Sequence, residues 1–253
     1  MNGVLNINKP KGITSFTAVS RVKYILEVKK AGHTGTLDPD ARGVLPVCIG
    51  KATKIAQFLM MSSKVYIAGM KLGIRTDTQD SSGKVIEQRK AHNVDEHEIS
   101  NIFSKYIGEI EQIPPMYSAM RFQGKRLYTL ARKGITVERK PKKVRIDFIR
   151  LIDIKDDLVT FEASTSPGTY IRTLCDSIGE ELGCGAHLFE LERIRVGIFK
   201  IEDSVSLENL SRIREEGRVR DILYSMDKAL SFLPGIQREK IKEKISMGVS
   251  VPM

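Results

Sequence analysis

Cysteine is scarce in this chain. Cys48, Cys175 and Cys184 are odd in number and far apart, which excludes a disulfide framework and a paired C-x-x-C metal site and suits a reducing cytoplasm. Long apolar runs are missing too. Ile55 to Met61 is the nearest, far short of the roughly 20 residues that a membrane-spanning helix needs. The N-terminus lacks the basic start and apolar block of a secretion signal, and there are no repeats or low-complexity tracts. The spacing of His92 and His97 does not put two imidazoles on one helical face, so both read as surface residues rather than metal ligands. Gly43 to Lys51 suggests a phosphate loop only superficially: the gap from Gly43 to Gly50 is too long, and Ala52 stands where the magnesium-binding Ser or Thr would be.

What is present is an ordinary globular composition with one extraordinary segment. The 253 residues are 41% hydrophobic and 28% charged, enough to bury a sizeable core in one large domain or two smaller ones. The net charge is +10. Between Arg121 and Arg145 ten basic residues face a single acid, Glu138, so nearly all of the excess lies in that stretch. Phe122, Gly124 and Tyr128 are interleaved with the cations. A solvated face is the usual reading of a charge run, but this concentration favours contact with nucleic acid.

Periodicity predicts an α+β chain. Val4 to Ile7 reads as a strand, and Thr14 or Ser15 caps a helix carrying Phe16, Val19, Val22 and Leu26. The apolar run Val44 to Ile49 is broken by Pro46, and a helix from Lys51 carries Ala52, Ile55, Ala56 and Leu59. Lys64 to Leu72 reads as a strand with Tyr66, Ala68, Met70 and Leu72 on one face. Asp95 and Glu98 form a capping box ahead of Ile99, Ile102, Phe103, Tyr106, Ile107 and Ile110. Two strands, Val144 to Ile152 and Leu158 to Ser164, join across Lys155-Asp156-Asp157. Ile171 to Leu182 reads as a helix stopped by Gly183. Helices follow from Ser206 to about Phe232, and then a basic one from Arg238 to Ile245. Strands therefore come in pairs with helices between them, which predicts a mixed, mostly antiparallel sheet flanked by helices.

The stretch with the most chemical promise is Gly32 to Gly43, reading Gly-His-Thr-Gly-Thr-Leu-Asp-Pro-Asp-Ala-Arg-Gly. Its glycines permit backbone angles and close approaches that a Cβ forbids. Pro39 pushes Asp38 out of the α region, so its carboxylate projects from an extended or turn conformation. A polar loop between apolar segments is where scaffolds carry reactive groups, although an Asp-Pro pair alone is an ordinary turn.

Read with its neighbours, the loop resembles the catalytic loop of the TruB family of tRNA pseudouridine synthases. Five other blocks follow the family in order: Lys9-Pro10-Lys11-Gly12-Ile13-Thr14-Ser15; Lys64-Val65-Tyr66 with Leu72 to Asp80; Pro115 to Ala119 with Gly124 to Arg132; Gly168 to Leu174; and Gly185-Ala186-His187-Leu188. The resemblance implies a pseudouridine-synthase catalytic fold. It also implies a reaction that detaches a uracil from its ribose, rotates it and rejoins it through carbon, without cofactor or metal.

Residue by residue, it makes Asp38 the nucleophile, a role open to a carboxylate, and leaves both sugar and base as the point of attack. Arg172 is the motif guanidinium that keeps the carboxylate ionised. Tyr66 stacks on the uracil with its hydroxyl where a proton must leave the base. His33 fills the space vacated when the target uridine is flipped out of the folded RNA. Tyr170 packs under the site, and Asp80 orders the neighbouring polar loop. Lys9, Arg126, Arg132, Lys142 and Lys143 are expected to bind RNA, the last four within a flexible clasping insertion at 121–145. The implied partner is the T-arm of tRNA, bound by a cytoplasmic monomer with no membrane attachment.

The expected organisation is a catalytic domain over 1–233 and a helical tail over 234–253. That tail resembles only the opening of the RNA-binding PUA domain usual in the family, so little or no such domain is expected. Three rival readings remain: a tRNA-folding chaperone with secondary catalysis, a dyskerin-like synthase working with guide RNA, and a metal-dependent hydrolase using His33, Asp38 and Asp40. The last lacks a second His/acid cluster to complete its ligand set.

Overall fold

The computed structural model describes residues 1–91 and 94–247; His92 lies outside the described residues, as do the last six positions of the C-terminal tail. In chain order the elements are β1 (Gly3–Lys9), α1 (Ser15–Leu26), β2 (Ala31–His33), β3 (Arg42–Ile49), a 3-10 turn (Gly50–Ile55) running into α2 (Ala56–Met60), β4 (Lys64–Leu72), β5 (Ile74–Thr76) and β6 (Val85–Gln88). Then come α3 (Glu96–Lys105), β7 (Gly108–Gln112), β8 (Arg121–Phe122), β9 (Lys125–Arg126), α4 (Leu127–Ala131), β10 (Lys142–Lys155), β11 (Leu158–Thr165), α5 (Ile171–Glu181) and β12 (Ala186–Val196). The chain continues with β13 (Phe199–Lys200), α6 (Leu207–Glu215), a second 3-10 turn (Val219–Ile222), β14 (Leu223–Tyr224), α7 (Met226–Ala229) and α8 (Gly235–Ser246). This is the expected α+β chain with a mixed sheet. The pairings β1–β3, β1–β14, β2–β3, β7–β10, β10–β11 and β12–β13 are antiparallel, and β3–β12 is parallel. Among the described residues no helix is long and apolar enough to cross a membrane.

The chain divides into two compact units, one holding Met1–Tyr66 and the chain from Glu192 onward, the other Ile67–Leu191. In the first unit the sheet runs β14-β1-β3-β12, with β2 also on β3. Successive residues of β3 point to opposite faces, and each face has its own apolar layer. Val44 and Cys48 pack with Ala52, Ile55 and Leu59, and with Leu230, Ile241 and Ile245 from α7 onward. Leu45, Val47 and Ile49 pack with Ala18, Val22 and Leu26 of α1 and Leu207 and Leu210 of α6. Each buried Val, Leu or Ile among them contributes about 1.5–3 kcal/mol, so β3, covered on both faces, is firmly held. Its N-terminal end is where the Asp38 loop arrives.

In the second unit the sheet runs β12-β4-β11-β10-β7. α3 packs there through Ile99, Ile102 and Phe103, whose ring lies 5.3 Å from that of Phe161 on β11.

Four local expectations need correcting. Pro46 does not break β3: pairing continues through it, Asn6 standing opposite, and its carbonyl accepts from Thr34 N. The segment from Lys51 begins as a 3-10 turn rather than an α-helix. α3 stops at Lys105, and Ile110, expected on it, lies on β7 opposite Val144. Gly108, at φ +101°, turns the chain there, and the edge of β10 recruits the following residues, so long-range pairing overrides helical spacing. Phe16 is 76% exposed. Ser15, Ala18 and Val22 take the inner face of α1, which leaves Phe16 roughly a quarter-turn away.

Candidate active site

The expected site residues fall in both units. His33, Asp38, Tyr66 and Lys9 belong to the first; Asp80, Tyr170, Arg172, Arg126, Arg132, Lys142 and Lys143 belong to the second. The Asp38 loop is best understood through its backbone. Every carbonyl from Gly35 to Pro39 accepts a hydrogen bond: Gly35 and Thr36 from Arg193, Leu37 from Ser15 Oγ, Asp38 from Ala41 N, and Pro39 from Gly12 N and Lys9 Nζ. Ser15 Oγ also accepts from Leu37 N at 2.8 Å, and Leu37 itself is buried. A loop so fully satisfied has few alternative conformations, and it presents a partly exposed Asp38 in Coulombic reach of Lys9 and Arg193.

Lys9 proves to be something other than an RNA contact. It is fully buried, and its ammonium donates to the carbonyls of Pro10, Ile13 and Pro39 at 2.8, 2.7 and 3.2 Å. Enclosed this way it anchors the loop and cannot reach a phosphate. Burial pushes its amine down to about 8, against the pull of Asp38 and Asp40; Lys64, also buried, is pushed down to about 8 as well. Each therefore opposes folding below pH 8, and that penalty fades as pH rises from about 8 toward the ordinary 10.5.

His33, at the end of β2, accepts from Gly35 N through Nδ1 at 3.3 Å. Burial, then the Arg193 charge, pushes its imidazole below the ordinary range, so the ring is neutral at pH 7 with its proton on Nε2. Tyr66 is largely buried on β4, in electrostatic reach of Arg193. Among the described residues no three His, Cys, Asp or Glu side chains gather in a metal-holding group.

The exit of the loop depends on Gly43. It sits at φ +106° opposite Arg193 in the parallel β3–β12 register, and an added Cβ would run into the Arg193 carbonyl. Gly43→Ala is expected to destabilise the protein by about 3 kcal/mol, combining an unfavourable φ with a backbone collision. Urea unfolding checks this; a loss below about 1 kcal/mol would mean that the loop exit yields.

In the second unit, Arg172 opens α5 and is 5% exposed. Its Nη1 donates to Thr78 O at 3.3 Å and Asp80 Oδ2 at 3.4 Å, and its Nη2 to Tyr117 O at 2.9 Å. The other Asp80 oxygen accepts from Thr78 Oγ1, Ser82 N and Ser82 Oγ, so Asp80 orders the polar loop and Arg172 together. Gln79, in the left-handed region at φ +63°, ties that loop to α5 through Asp176 and Thr173. Arg75 grips Asp176 from β5. Tyr170 N-caps α5, its backbone held on both sides by the Gln112 amide.

Within the basic segment, Arg126 and Arg132 flank the Tyr128 ring at 5.9 and 5.5 Å from its centroid. Lys142 and Lys143 begin β10 opposite Gln112 and Glu111, with both lysines exposed.

Arg193, Gln79 and Gln112 are the contributors that motif reading passed over. Arg193 lies on a strand among alternating charges, Glu192, Arg193 and Arg195, where an arginine reads as solvent-facing; only the register with Gly43 buries it.

The chain matches a family model described as TruB family pseudouridylate synthase (N terminal domain) over residues 23–171. A second, described as tRNA pseudouridylate synthase B C-terminal domain, matches residues 172–231. A Clostridium kluyveri protein named tRNA pseudouridine synthase B is 45% identical over 252 residues, covering 99% of this chain and 86% of that one. A Geobacillus kaustophilus protein of the same name is 44% identical over 256 residues, covering 98% and 90%. The crystal structure of a Cbf5-Nop10-Gar1 complex aligns with a TM-score of 0.74 at 34% identity, covering 92% of this chain; this chain spans 62% of that one. With family models matched from residue 23 to 231 and relatives of such identity along almost its whole length, the chain belongs to the TruB family of pseudouridylate synthases.

Proposed function

We propose that the chain isomerises the T-loop uridine at tRNA position 55 to pseudouridine. The observation that carries this reading is the Asp38 loop, with each carbonyl from Gly35 to Pro39 engaged and buried cations beneath it. Such a loop suits a nucleophile that must meet an everted nucleotide in one geometry. In this reading Asp38 attacks, Tyr66 contacts the uracil and moves its proton, and Arg172 supplies the motif guanidinium. Tyr170 supports the base, and Asp80 holds Arg172. His33, neutral and flat, takes the place of the flipped base in the stack.

Arg126, Arg132, Lys142 and Lys143 grip the RNA backbone from the 121–145 insertion. The catalytic domain extends over 1–233, and the helix that follows, α8 (Gly235–Ser246), resembles the opening of a PUA-like module. The relatives at 44–45% identity named tRNA pseudouridine synthase B support the tRNA substrate over the guide-RNA alternative. Three buried, unbridged thiols support a cytoplasmic setting, and the reading takes the enzyme as a monomer.

Mapping modified uridines in cellular tRNA with and without the protein tests the activity. Position 55 should lose its pseudouridine when the protein is removed; retention there would reject the proposal. Changing all four insertion cations to Gln should flatten the dependence of log affinity on log salt by up to roughly three units. It should raise KM and leave the single-turnover rate at saturation near wild type.

A further inference from the structure

We propose that Arg193 is a positioning residue for this reaction, fastening the loop that carries Asp38 to one rigid guanidinium in electrostatic reach of Tyr66. The proposal rests on the reading of Asp38 and Tyr66 as reacting groups. Arg193 is 2% exposed and among the largest fully buried side chains of the chain. Its Nε donates to Val44 O at 2.8 Å, its Nη2 to Gly35 O at 3.1 Å and its Nη1 to Thr36 O at 3.5 Å, and Tyr66 lies within its electrostatic reach. The guanidinium thus spans the entrance of the loop and the strand beyond its exit. Its own main chain closes on Gly43 in the β3–β12 register.

The choice of arginine is informative. Burying a cation is unfavourable by several kcal/mol, and an aliphatic side chain of similar volume commonly stabilises a core as well or better. The lysines Lys9 and Lys64 make this cavity still less hospitable to a further charge. What an aliphatic chain cannot do is hold three carbonyls, two on the loop and one on β3, in fixed relative positions; a planar fork with five N–H donors can. Lysine, with one nitrogen on a flexible stem, reaches only part of that set.

The test compares Arg193→Lys and Arg193→Gln with wild type and with Asp38→Asn. It uses melting, binding of a T-arm transcript, single-turnover pseudouridine formation, and hydrogen exchange of the Leu37 and Ala41 amides. Arg193→Lys should fold and bind within about threefold of wild type, yet isomerise roughly 100-fold more slowly, the cost of a displacement near 1 Å. Exchange should accelerate at Leu37 and Ala41 specifically. Arg193→Gln should be slower still.

A wild-type rate in Arg193→Lys would overturn the proposal. So would a rate loss matched by an equal loss of folded protein, or the unfolding of both variants, either of which would make Arg193 a scaffold residue only. Isomerisation persisting in Asp38→Asn would instead reject the underlying assignment of the nucleophile, which separates the two failures.

Discussion

Asp38→Asn is expected to lower the single-turnover rate of pseudouridine formation by about 10⁴-fold or more, while the T-arm transcript still binds almost as well as to wild type. The substitution is nearly isosteric and leaves the Asp38 backbone, with its bond from Ala41 N, untouched. The rest of the loop is held by Arg193, Ser15 and Lys9, none of which needs the carboxylate to stay in place. On the proposed reading what disappears is the nucleophile, and loss of a covalent nucleophile is among the largest single effects in enzyme kinetics. An amide beside the buried charges of Lys9 and Arg193 also removes a compensating negative charge, so a modest loss of stability should accompany the loss of activity. Quenched single-turnover assays with purified transcript decide it. Binding without isomerisation by wild type as well would favour the chaperone reading.

The second large effect is expected at Arg172. On the proposed reading of Arg172 as the motif guanidinium, Arg172→Met should reduce the rate by about 10²–10³-fold, typical for removing a charged group from a reaction centre, and destabilise the protein by about 3 kcal/mol. The stability loss follows from what remains behind: Asp80 Oδ2 loses its guanidinium, and the Thr78 and Tyr117 carbonyls lose a donor inside a buried region. Arg172→Lys should recover some stability but little activity, because one ammonium cannot serve three acceptors spread over two loops. Melting and single-turnover rates on the same preparations separate the two contributions. Equal activity in Arg172→Lys and wild type would reduce Arg172 to a source of charge.

Several parts of this architecture could be read directly from residues. Thr14 caps α1 by accepting from Thr17 N, and Asp95 caps α3 by accepting from Glu98 N, both local events written in a few adjacent side chains. β4 has the predicted bounds because its run of apolar residues, Val65 to Met70 and Leu72, is long enough to read as a strand. The Asp38 loop stood out because glycine and proline mark irregular backbone wherever they occur.

What stayed hidden depends on partners distant in sequence. The end of α3 is set by the edge of β10, about 40 residues on. Lys9 looks like a surface cation until Ile13 and Pro39 enclose it, and Arg193 like a solvent-facing strand residue until Gly43 comes alongside. Charged side chains seldom sit inside proteins, so a reading by residue type places both outside. The inward ones carry the loop.

The thiols turn the two-unit division into something that can be timed. Cys48 on β3 and Cys175 on α5 are both wholly enclosed, one in each unit; burial pushes the first up to about 12 and the second higher than a thiol ordinarily lies. Neither reacts with an alkylating reagent while its surroundings stay shut. The tagged peptide recovered after a pulse of reagent therefore says which half of the molecule breathed first, and its dependence on urea gives the opening free energy of each half without any engineered label.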